Sequence, residues 1–311
     1  MRNIFLFGLF FLSNAIFAQS NYSIDSSYTI KSTYTKLIKK YPFIKIVEET
    51  KNNNVAQVTD VVYSDKNRTL HLDAYFNIIK KRNPAVIMIH GGGWRSGNKN
   101  QMKVIAQEIA SKGYSCFAIE YRLSLEAKYP EAVYDVKNAI KFIKDNARRF
   151  NVDPNKIAVL GCSSGGQMAA LIGTTNQHSA FDDIKNKSKS SSKVNAIINI
   201  DGVLAFKHPE SSEGEMAAFW LKGTSAEVPE NWKNASALTH TDKNTPPILF
   251  INSSIDRFHA GRDDMIAILN QNNIYNEVHT IKDSPHSFWF FNPWFEEMIR
   301  YTTQFLNKIF K

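Results

Sequence analysis

Short apolar runs alternate regularly with stretches of helical spacing from about residue 55 to the end of this 311-residue chain. Several runs are apolar throughout, which is typical of strands buried on both faces of a sheet. The predicted strands are residues 58–63, 70–78, 85–89, 115–121, 157–160, 194–200, 248–252 and 277–281. Strand–helix–strand units join parallel strands through right-handed crossovers. The sequence therefore predicts an α/β fold, with a mostly parallel central sheet of about eight strands and helices on both faces.

Residues 203–240 interrupt this alternation between two strands that should be neighbours. They carry Phe206, Trp220 and Trp232 without strand alternation, and an excursion of this length usually has a function or secondary structure of its own. Two interpretations are open: a cap over a site, or a helical insertion without a role there. The α/β domain is assigned to residues 55–311, with the insertion inside it.

The first 18 residues have the composition of a signal peptide. Arg2 precedes an apolar run at residues 4–12, and Ala18 offers a small residue at a cleavage point. The run is too short to cross a bilayer, and no later stretch reaches 18 uninterrupted apolar residues. We therefore expect export to the periplasm or the extracellular space, no membrane span, and a polar N-terminal extension over residues 19–54.

The formal net charge of +9 would favour anionic partners such as nucleic acid, acidic polysaccharide or an anionic membrane surface. The excess basic residues lie largely in short mixed runs, for example at residues 39–40 and 80–82, which are typical of solvated loops. No nucleic-acid-binding motif accompanies them. Nucleic acid is therefore not an expected partner.

The string GCSSGG at residues 161–166 follows an apolar strand and precedes a plausible helix. This is the context of a nucleophile elbow, a tight turn that needs small residues around an exposed and strained serine. The positive end of the helix then lies beneath the developing negative charge. Ser163 has the right spacing from both Gly161 and Gly165, so it is the predicted nucleophile.

The string HGGGW at residues 90–94 follows the buried strand at residues 85–89. Consecutive glycines allow backbone N–H groups to approach a substrate oxygen without an intervening Cβ. We predict that the N–H groups of Gly92 and Gly93 form an oxyanion hole together with that of Ser164. His90 belongs to the same loop and is expected to shape the turn rather than to transfer protons.

Three histidines follow the predicted strand at residues 248–252, where the chain order Ser, acid, His of such sites places the base. His279 lies within the alternating pattern of the predicted strand at residues 277–281 and is expected to be structural. His259 comes before that strand. His286 stands in a loop directly after the last strand. It is therefore the predicted general base, which takes the proton of Ser163 and returns it to the leaving alcohol.

Asp256 follows the predicted strand at residues 248–252, at the offset where an acid would orient the imidazolium. Asp263 and Asp264 lie slightly further on, where carboxylates also suit the first turn of a helix. Chain order does not separate these three residues. Asp256 is the predicted acid, and Asp263 and Asp264 remain alternatives.

With these motifs the sequence resembles the α/β-hydrolase superfamily and, within it, the bacterial carbohydrate esterases that include acetyl xylan, feruloyl and pectin acetyl esterases. The resemblance covers about residues 55–310 and also rests on Tyr121-Arg122-Leu123, Asp153-Pro154 and residues 284–289. The sequence departs from many relatives at Ser253, where they have Gly ahead of the acid. The resemblance implies an esterase that removes acetyl or similar small acyl groups, or feruloyl groups, from plant or algal polysaccharide.

Four tryptophans are candidate substrate contacts, because aromatic faces can stack on sugar rings. They are Trp94, Trp220, Trp232 and Trp289. The alternative for each of them is a place in the core, since large aromatic side chains are buried on average.

Other activities remain open for this fold: a lipase, a peptidase, or a glycan-binding relative without catalysis. No His or Cys cluster has the spacing of metal ligands, so neither a metal nor an organic cofactor is predicted. The usual strand order of the fold puts another strand between those of Cys116 and Cys162, which is too far for a disulfide. The resemblance therefore implies free thiols. The oligomeric state is not predicted.

Overall fold

The computed structural model describes residues 25–65 and 68–310, so the predicted signal peptide at residues 1–18 lies outside the described residues. An eight-stranded sheet forms the centre of the molecule, and a pair of short strands lies beside it. The strands are β1 (Lys45–Ile46), β2 (Val55–Ser64), β3 (Leu70–Asn77), β4 (Asn83–Ile89), β5 (Ser115–Ile119), β6 (Val152–Cys162), β7 (Ala196–Ile200), β8 (Ile248–Asn252), β9 (Asn276–Thr280) and β10 (Phe291–Asn292).

Helices connect most of the sheet strands. They are α1 (Ile30–Leu37), α2 (Lys103–Ser111), α3 (Glu131–Asp145), α4 (Ser164–Thr174), α5 (Glu215–Leu221), α6 (Pro229–Asn234), α7 (Arg262–Gln271) and α8 (Trp294–Phe310). Short 3₁₀ helices cover Lys99–Met102, Ser179–Phe181, Ala237–His240, Asp256–His259 and Phe288–Phe290. Among the described residues, no helix combines the length and the apolar character that crossing a membrane requires.

The strand order of the main sheet is β2-β3-β5-β4-β6-β7-β8-β9. The pairs β2–β3 and β3–β5 are antiparallel, and the remaining neighbours are parallel. All eight predicted strands are present in this sheet. The predicted α/β fold is confirmed, and it is the α/β-hydrolase fold that the resemblance implied.

Two apolar layers cover the two faces of the sheet, because successive side chains of a strand point to opposite faces. In β4, Ala85, Ile87 and Ile89 belong to one layer, together with apolar side chains of α3 and α4. Val86 and Met88 belong to the other layer, with side chains of α2 and α8. The apolar run that predicted a doubly buried strand therefore lies between helices on both sides.

The predicted N-terminal extension at residues 19–54 contains more structure than its polar composition indicated. Its described part includes α1 and β1, and β1 pairs with β10 near the C-terminus, with Lys45 opposite Asn292. Tyr34 of α1 packs its ring against Phe291 at 6.2 Å between centroids. The segment therefore docks on the α/β domain through residues far away in the sequence.

The insertion at residues 203–240 contains α5, α6 and a 3₁₀ helix. It packs through aromatic side chains: Trp220 stacks on Trp94 at 5.0 Å between ring centroids, and Phe206 meets Trp232 at 5.9 Å. Because Trp94 belongs to the glycine-rich loop after β4, the insertion lies directly against that loop.

Candidate active site

The turn between β6 and α4 holds Ser163 at φ 55° and ψ −123°, a conformation that non-glycine residues rarely adopt. The residues around it must be small. A Cβ on Gly161 would lie 1.9 Å from the carbonyl oxygen of Gly165, and a Cβ on Gly165 would lie 2.2 Å from that of Ile89. The Ser163 N–H donates to the carbonyl of Ile200 at 2.8 Å, which ties the turn to β7. This is the geometry that the elbow motif predicts.

His286 lies against Ser163, although 123 positions separate them in the sequence. Its Nε2 is 2.8 Å from Ser163 Oγ. The imidazole stands in the loop after β9, and its side chain is 20% exposed. The structure thus brings together the two residues that the sequence proposed as nucleophile and base.

The carboxylate beside His286 belongs to Asp201. Its Oδ2 is 2.8 Å from His286 Nδ1, and its Oδ1 accepts the backbone N–H of Ser253 at 2.7 Å. Asp201 is only 1% exposed. The prediction that Asp256 supplies the acid is therefore wrong, because another carboxylate occupies that position.

The two acids follow neighbouring strands of the sheet. Asp201 directly follows β7, the neighbour of the strand that leads to Ser163, whereas Asp256 follows β8, one strand further away. β8 is also next to β9, the strand that precedes His286, so strand spacing alone would not exclude Asp256. Asp256 itself is exposed in a 3₁₀ helix.

The alternatives Asp263 and Asp264 also lie elsewhere, in the first turn of α7. Asp263 pairs with Arg262 at 2.8 Å, and Asp264 pairs with His208 at 3.1 Å. A sequence signal for Asp201 existed. It stands between a buried strand and Gly202, and it obeys the chain order Ser, acid, His.

The loop after β8 covers the imidazole instead of supplying its acid. The ring of Phe258 stacks on His286, with centroids 3.5 Å apart and planes 10° apart. Trp289 meets the same imidazole edge-on at 5.1 Å. Sequence reasoning missed Phe258, because a single aromatic residue in a loop gives no local signal.

Gly92, Gly93 and Ser164 line one pocket of about 330 Å³ together with Ser163 and His286. The two glycines have φ values of 126° and 61°, which favour glycine. Ser164 is the first residue of α4, where backbone N–H groups have no partner within the helix. The three residues therefore line the same pocket as Ser163, and their role as an oxyanion hole stays a prediction.

His90 shapes the glycine-rich loop, as predicted. Its Nδ1 is 2.8 Å from the Gly91 carbonyl oxygen, and its ring stacks on Tyr121 at 4.4 Å. The hydroxyl of Tyr121 donates to the His90 carbonyl at 2.9 Å. Burial lowers the pKa of His90 to about 4, so its imidazole is neutral near pH 7.

The two other late histidines contact charged neighbours rather than Ser163. His279 Nε2 is 3.2 Å from the Glu277 carboxylate, and its ring stacks on Tyr301 at 3.8 Å. His259 is buried, with its Nδ1 3.3 Å from Arg262 Nη1. These positions agree with the structural role predicted for His279.

The four tryptophans predicted as sugar contacts are buried. Their exposed fractions are 3% for Trp94, 0% for Trp220, 5% for Trp232 and 1% for Trp289. The indole N–H of Trp94 donates to Gln167 Oε1 at 2.9 Å, and that of Trp232 donates to a backbone carbonyl at 2.9 Å. Among these four, only Trp94 lines the pocket at Ser163. The structure contradicts a role for these rings as exposed sugar platforms.

Side chains that the sequence analysis did not single out form the rim of the pocket. Met216 of α5 lies over the glycine-rich loop, where its Sδ would be 2.0 Å from a Cβ on Gly93. Glu213 and Arg257 face each other at 3.7 Å on the same rim. Burial raises the pKa of Glu213, and the charge of Arg257 opposes that rise. The insertion at residues 203–240 thus supplies part of the pocket wall.

Comparison with known proteins places these features in a family context. Residues 72–262 match the model of the BD-FAE family. Esterase LipC of Mycobacterium tuberculosis is 31% identical over 181 residues, which are 56% of this chain and 44% of that protein. The arylesterase of Saccharolobus solfataricus is 35% identical over 118 residues, 37% of this chain and 38% of that protein. The chain thus spans about half, or less, of the length of these curated relatives.

Solved structures show the same fold. A truncated carbohydrate esterase from gut microbiota superposes with a TM-score of 0.70 at 23% identity, covering 84% of this chain and 100% of that one. An acetyl ester-xyloside bifunctional hydrolase from Caldicellulosiruptor lactoaceticus gives a TM-score of 0.69 at 21% identity, covering 80% and 96%. At these identities the likeness concerns the architecture.

Proposed function

The chain belongs to the BD-FAE family of α/β-hydrolases, and from this premise we propose that it is a serine esterase that removes acetyl or similarly small acyl groups from plant or algal polysaccharide. The main support for the proposal is the chain of side-chain contacts from Ser163 to His286 to Asp201, in which both distances are 2.8 Å. The carbohydrate part of the proposal draws support from two solved neighbours, a carbohydrate esterase and an acetyl ester-xyloside bifunctional hydrolase.

In the acylation step, Ser163 Oγ attacks the ester carbonyl carbon while His286 Nε2 accepts the hydroxyl proton. A carboxylate only accepts hydrogen bonds, so His286 Nδ1–H donates to Asp201, which fixes the ring and stabilises the imidazolium. The N–H groups of Gly92, Gly93 and Ser164 are proposed to bind the tetrahedral oxyanion. When the tetrahedral intermediate collapses, the bond between the acyl carbon and the sugar oxygen breaks, His286 gives its proton to that oxygen to form the sugar hydroxyl, and the acyl group remains on Ser163.

In the deacylation step, water replaces the sugar. His286 takes a proton from the water, whose oxygen attacks the acyl carbon, and the bond to Ser163 Oγ breaks as the proton returns to that oxygen. The pocket volume of about 330 Å³ lies at the low end of the range for small-molecule sites, which favours a small acyl group.

The experiment that tests this proposal is pre-steady-state hydrolysis of p-nitrophenyl acetate. We expect a burst of p-nitrophenol followed by slower turnover, and covalent labelling of Ser163 by a fluorophosphonate. Ser163→Ala should lose both the burst and the label. Full activity in Ser163→Ala would refute the assignment, and an unlabelled but correctly folded wild-type protein would favour a glycan-binding relative without catalysis.

Substrate selectivity separates the proposal from the other activities of this fold. We expect acetate esters to be hydrolysed far faster than octanoate esters, and anilides of the same acyl group to be inert. Faster hydrolysis of octanoate would indicate a lipase, and cleavage of amides would indicate a peptidase. Acetate release from acetylated xylan, pectin and mannan, measured side by side, identifies the polysaccharide class.

Export of the protein is a further part of the proposal. The positive residue Arg2, the apolar run at residues 4–12 and the small residue Ala18 support it. Expression of the complete chain in a Gram-negative host, followed by fractionation and N-terminal sequencing, should yield a periplasmic or secreted protein that begins at Gln19. An uncleaved cytoplasmic product would contradict this expectation.

A further inference from the structure

We infer that the N-terminal segment (residues 25–37) is part of the active site, and that Tyr28 is the positioning residue through which it holds the loop of His286. The segment precedes residues 72–262, which match the family model, and its sequence carries no catalytic motif. The inference rests on the proposed function of that site, because it assigns a role in the same reaction.

One end of the segment is attached to the glycine-rich loop. The Asp25 carboxylate accepts a hydrogen bond from Arg95 Nε at 2.9 Å, and Asp25 forms a parallel β-bridge with Ser96. The side-chain amide of Gln101 donates to the Tyr28 carbonyl at 3.1 Å. Arg95 and Ser96 closely follow the predicted oxyanion-hole glycines, and Gln101 lies in the next 3₁₀ helix, so the segment contacts that loop from outside.

Tyr28 reaches the histidine loop on the opposite side. Its hydroxyl is 2.9 Å from the hydroxyl of Ser287, and its ring lies 6.2 Å from that of Phe290. Burial raises the pKa of Tyr28, so the phenol keeps its proton and remains a hydrogen-bond partner. The segment therefore joins two loops that are far apart in the sequence.

Ser287 is the residue directly after His286, and it is 3% exposed with φ 71°. A serine in this left-handed region needs surrounding contacts that hold it there. Its backbone direction sets the position of the imidazole, which must approach Ser163 Oγ within hydrogen-bond distance. A hydrogen bond that fixes Ser287 thus acts on the reaction through His286, without touching the substrate carbonyl.

The same segment also contributes to the pocket surface. Ser27, Tyr28 and Lys36 line the pocket that contains Ser163. Catalytic groups must be held within about 0.5 Å of their productive positions by the contacts around them. A segment that touches both loops and the pocket is placed to provide such contacts.

The test compares conservative variants on p-nitrophenyl acetate. Tyr28→Phe removes the hydroxyl and keeps the ring, and Ser287→Ala removes the other hydroxyl. We expect each to lower kcat by about tenfold while KM changes less than twofold, since the geometry of His286 is affected and ester binding is not. Tyr114→Phe is the matched control: its hydroxyl donates to Asn307 Oδ1 at 2.8 Å outside the pocket of Ser163, and the variant should keep the wild-type kcat.

The double variant decides whether Tyr28 acts through Ser287. If the two hydroxyls form one unit, Tyr28→Phe combined with Ser287→Ala should be no slower than the slower single variant. The inference would be overturned if the loss of kcat in the double variant equalled the product of the two single losses. A wild-type kcat in Tyr28→Phe would overturn it as well. Thermal melting identifies a folding defect; should Tyr28→Phe not fold, Ser287→Ala alone tests the same bond by the same criterion.

The rate of Ser163 labelling by a fluorophosphonate separates this inference from the proposed function. Labelling requires Ser163 and His286 but no ester substrate. If the wild-type protein is labelled yet hydrolyses no ester, the proposed esterase function fails, but the labelling rates still test the role of Tyr28. Slower labelling of Tyr28→Phe then supports it, and equal labelling overturns it.

Discussion

At the scale of single residues, the two oxygens of Asp201 have separate partners. One meets His286 Nδ1 and the other accepts the N–H of Ser253, each within 2.8 Å. A buried carboxylate needs such partners, because its removal from water is costly. Together they hold the carboxylate rigidly, so that His286 presents its other nitrogen to Ser163.

Asp201→Asn is expected to lower kcat/KM for p-nitrophenyl acetate by roughly 10³- to 10⁴-fold, because an amide supports the wrong imidazole tautomer. Asp256→Asn is the matched control: Asp256 is exposed, and its variant should stay within about twofold of wild type. Steady-state kinetics of both variants provide the measurement. A loss in Asp256→Asn comparable to that in Asp201→Asn would contradict the assignment.

His90 makes a pH-dependent contribution to stability. Burial lowers its pKa from the usual 6.5 to about 4, so the unfolded chain binds a proton where the folded protein does not. The contribution of His90 to the unfolding free energy is therefore fully present above about pH 6.5, and it is lost as the pH falls towards about 4.

The loss of unfolding free energy from this imidazole should amount to about 2 to 3 kcal/mol between pH 7 and pH 4.5. Urea titrations of wild type and His90→Asn at both values provide the measurement. The variant should show a smaller pH effect by about that amount. Equal pH effects in wild type and His90→Asn would exclude this origin.

At the scale of elements, the turn from β6 into α4 is the most constrained part of the chain. Gly161 and Gly165 approach each other and the end of β4 through backbone atoms, which cannot move aside as a flexible side chain can. Close packing of backbone in this turn raises Ser163 above the carboxyl edge of the sheet. The strain at Ser163 therefore depends on its small neighbours.

Gly165→Ala should destabilise the protein by about 3 kcal/mol or more, since its Cβ would lie 2.2 Å from a backbone oxygen. Gly214→Ala is the control, because nothing lies within 4 Å of a Cβ at that position, and it should change stability by less than about 1 kcal/mol. Urea unfolding midpoints measure both effects. Similar stabilities for the two variants would show that the elbow can relax.

At the scale of the whole molecule, two apolar layers enclose the sheet, and both cysteines lie within one of them. Cys116 of β5 and Cys162 of β6 are separated by β4 and are present as free thiols, as predicted. Both are 0% exposed, and burial raises their pKa values. The fold is therefore organised by its core rather than by disulfides.

The native protein should not react with a thiol reagent such as dithionitrobenzoate, and two equivalents should react in denaturant. The physical reason is that only an exposed thiolate is nucleophilic. Absorbance at the released chromophore and the intact mass together provide the measurement. A mass two hydrogens lower, with no reactive thiol in denaturant, would indicate a disulfide instead.

Several features could be predicted from local sequence alone. The alternation of apolar runs predicted the eight sheet strands. The small residues around Ser163, the glycine-rich loop and the loop position of His286 predicted groups that the structure brings together. Each of these features is encoded within a few neighbouring residues, because turn geometry, strand burial and helix starts depend on local backbone requirements.

Only the tertiary structure decided which distant side chains complete the site. Asp201 rather than Asp256 meets His286, because Asp201 is buried with its carboxylate against the imidazole, whereas Asp256 is exposed in the 3₁₀ helix after β8. The four tryptophans fill the interior, since burial depends on what packs against a ring and not on the ring itself. The contact of Tyr28 with Ser287 spans 259 positions, a separation at which local pattern carries no information about pairing.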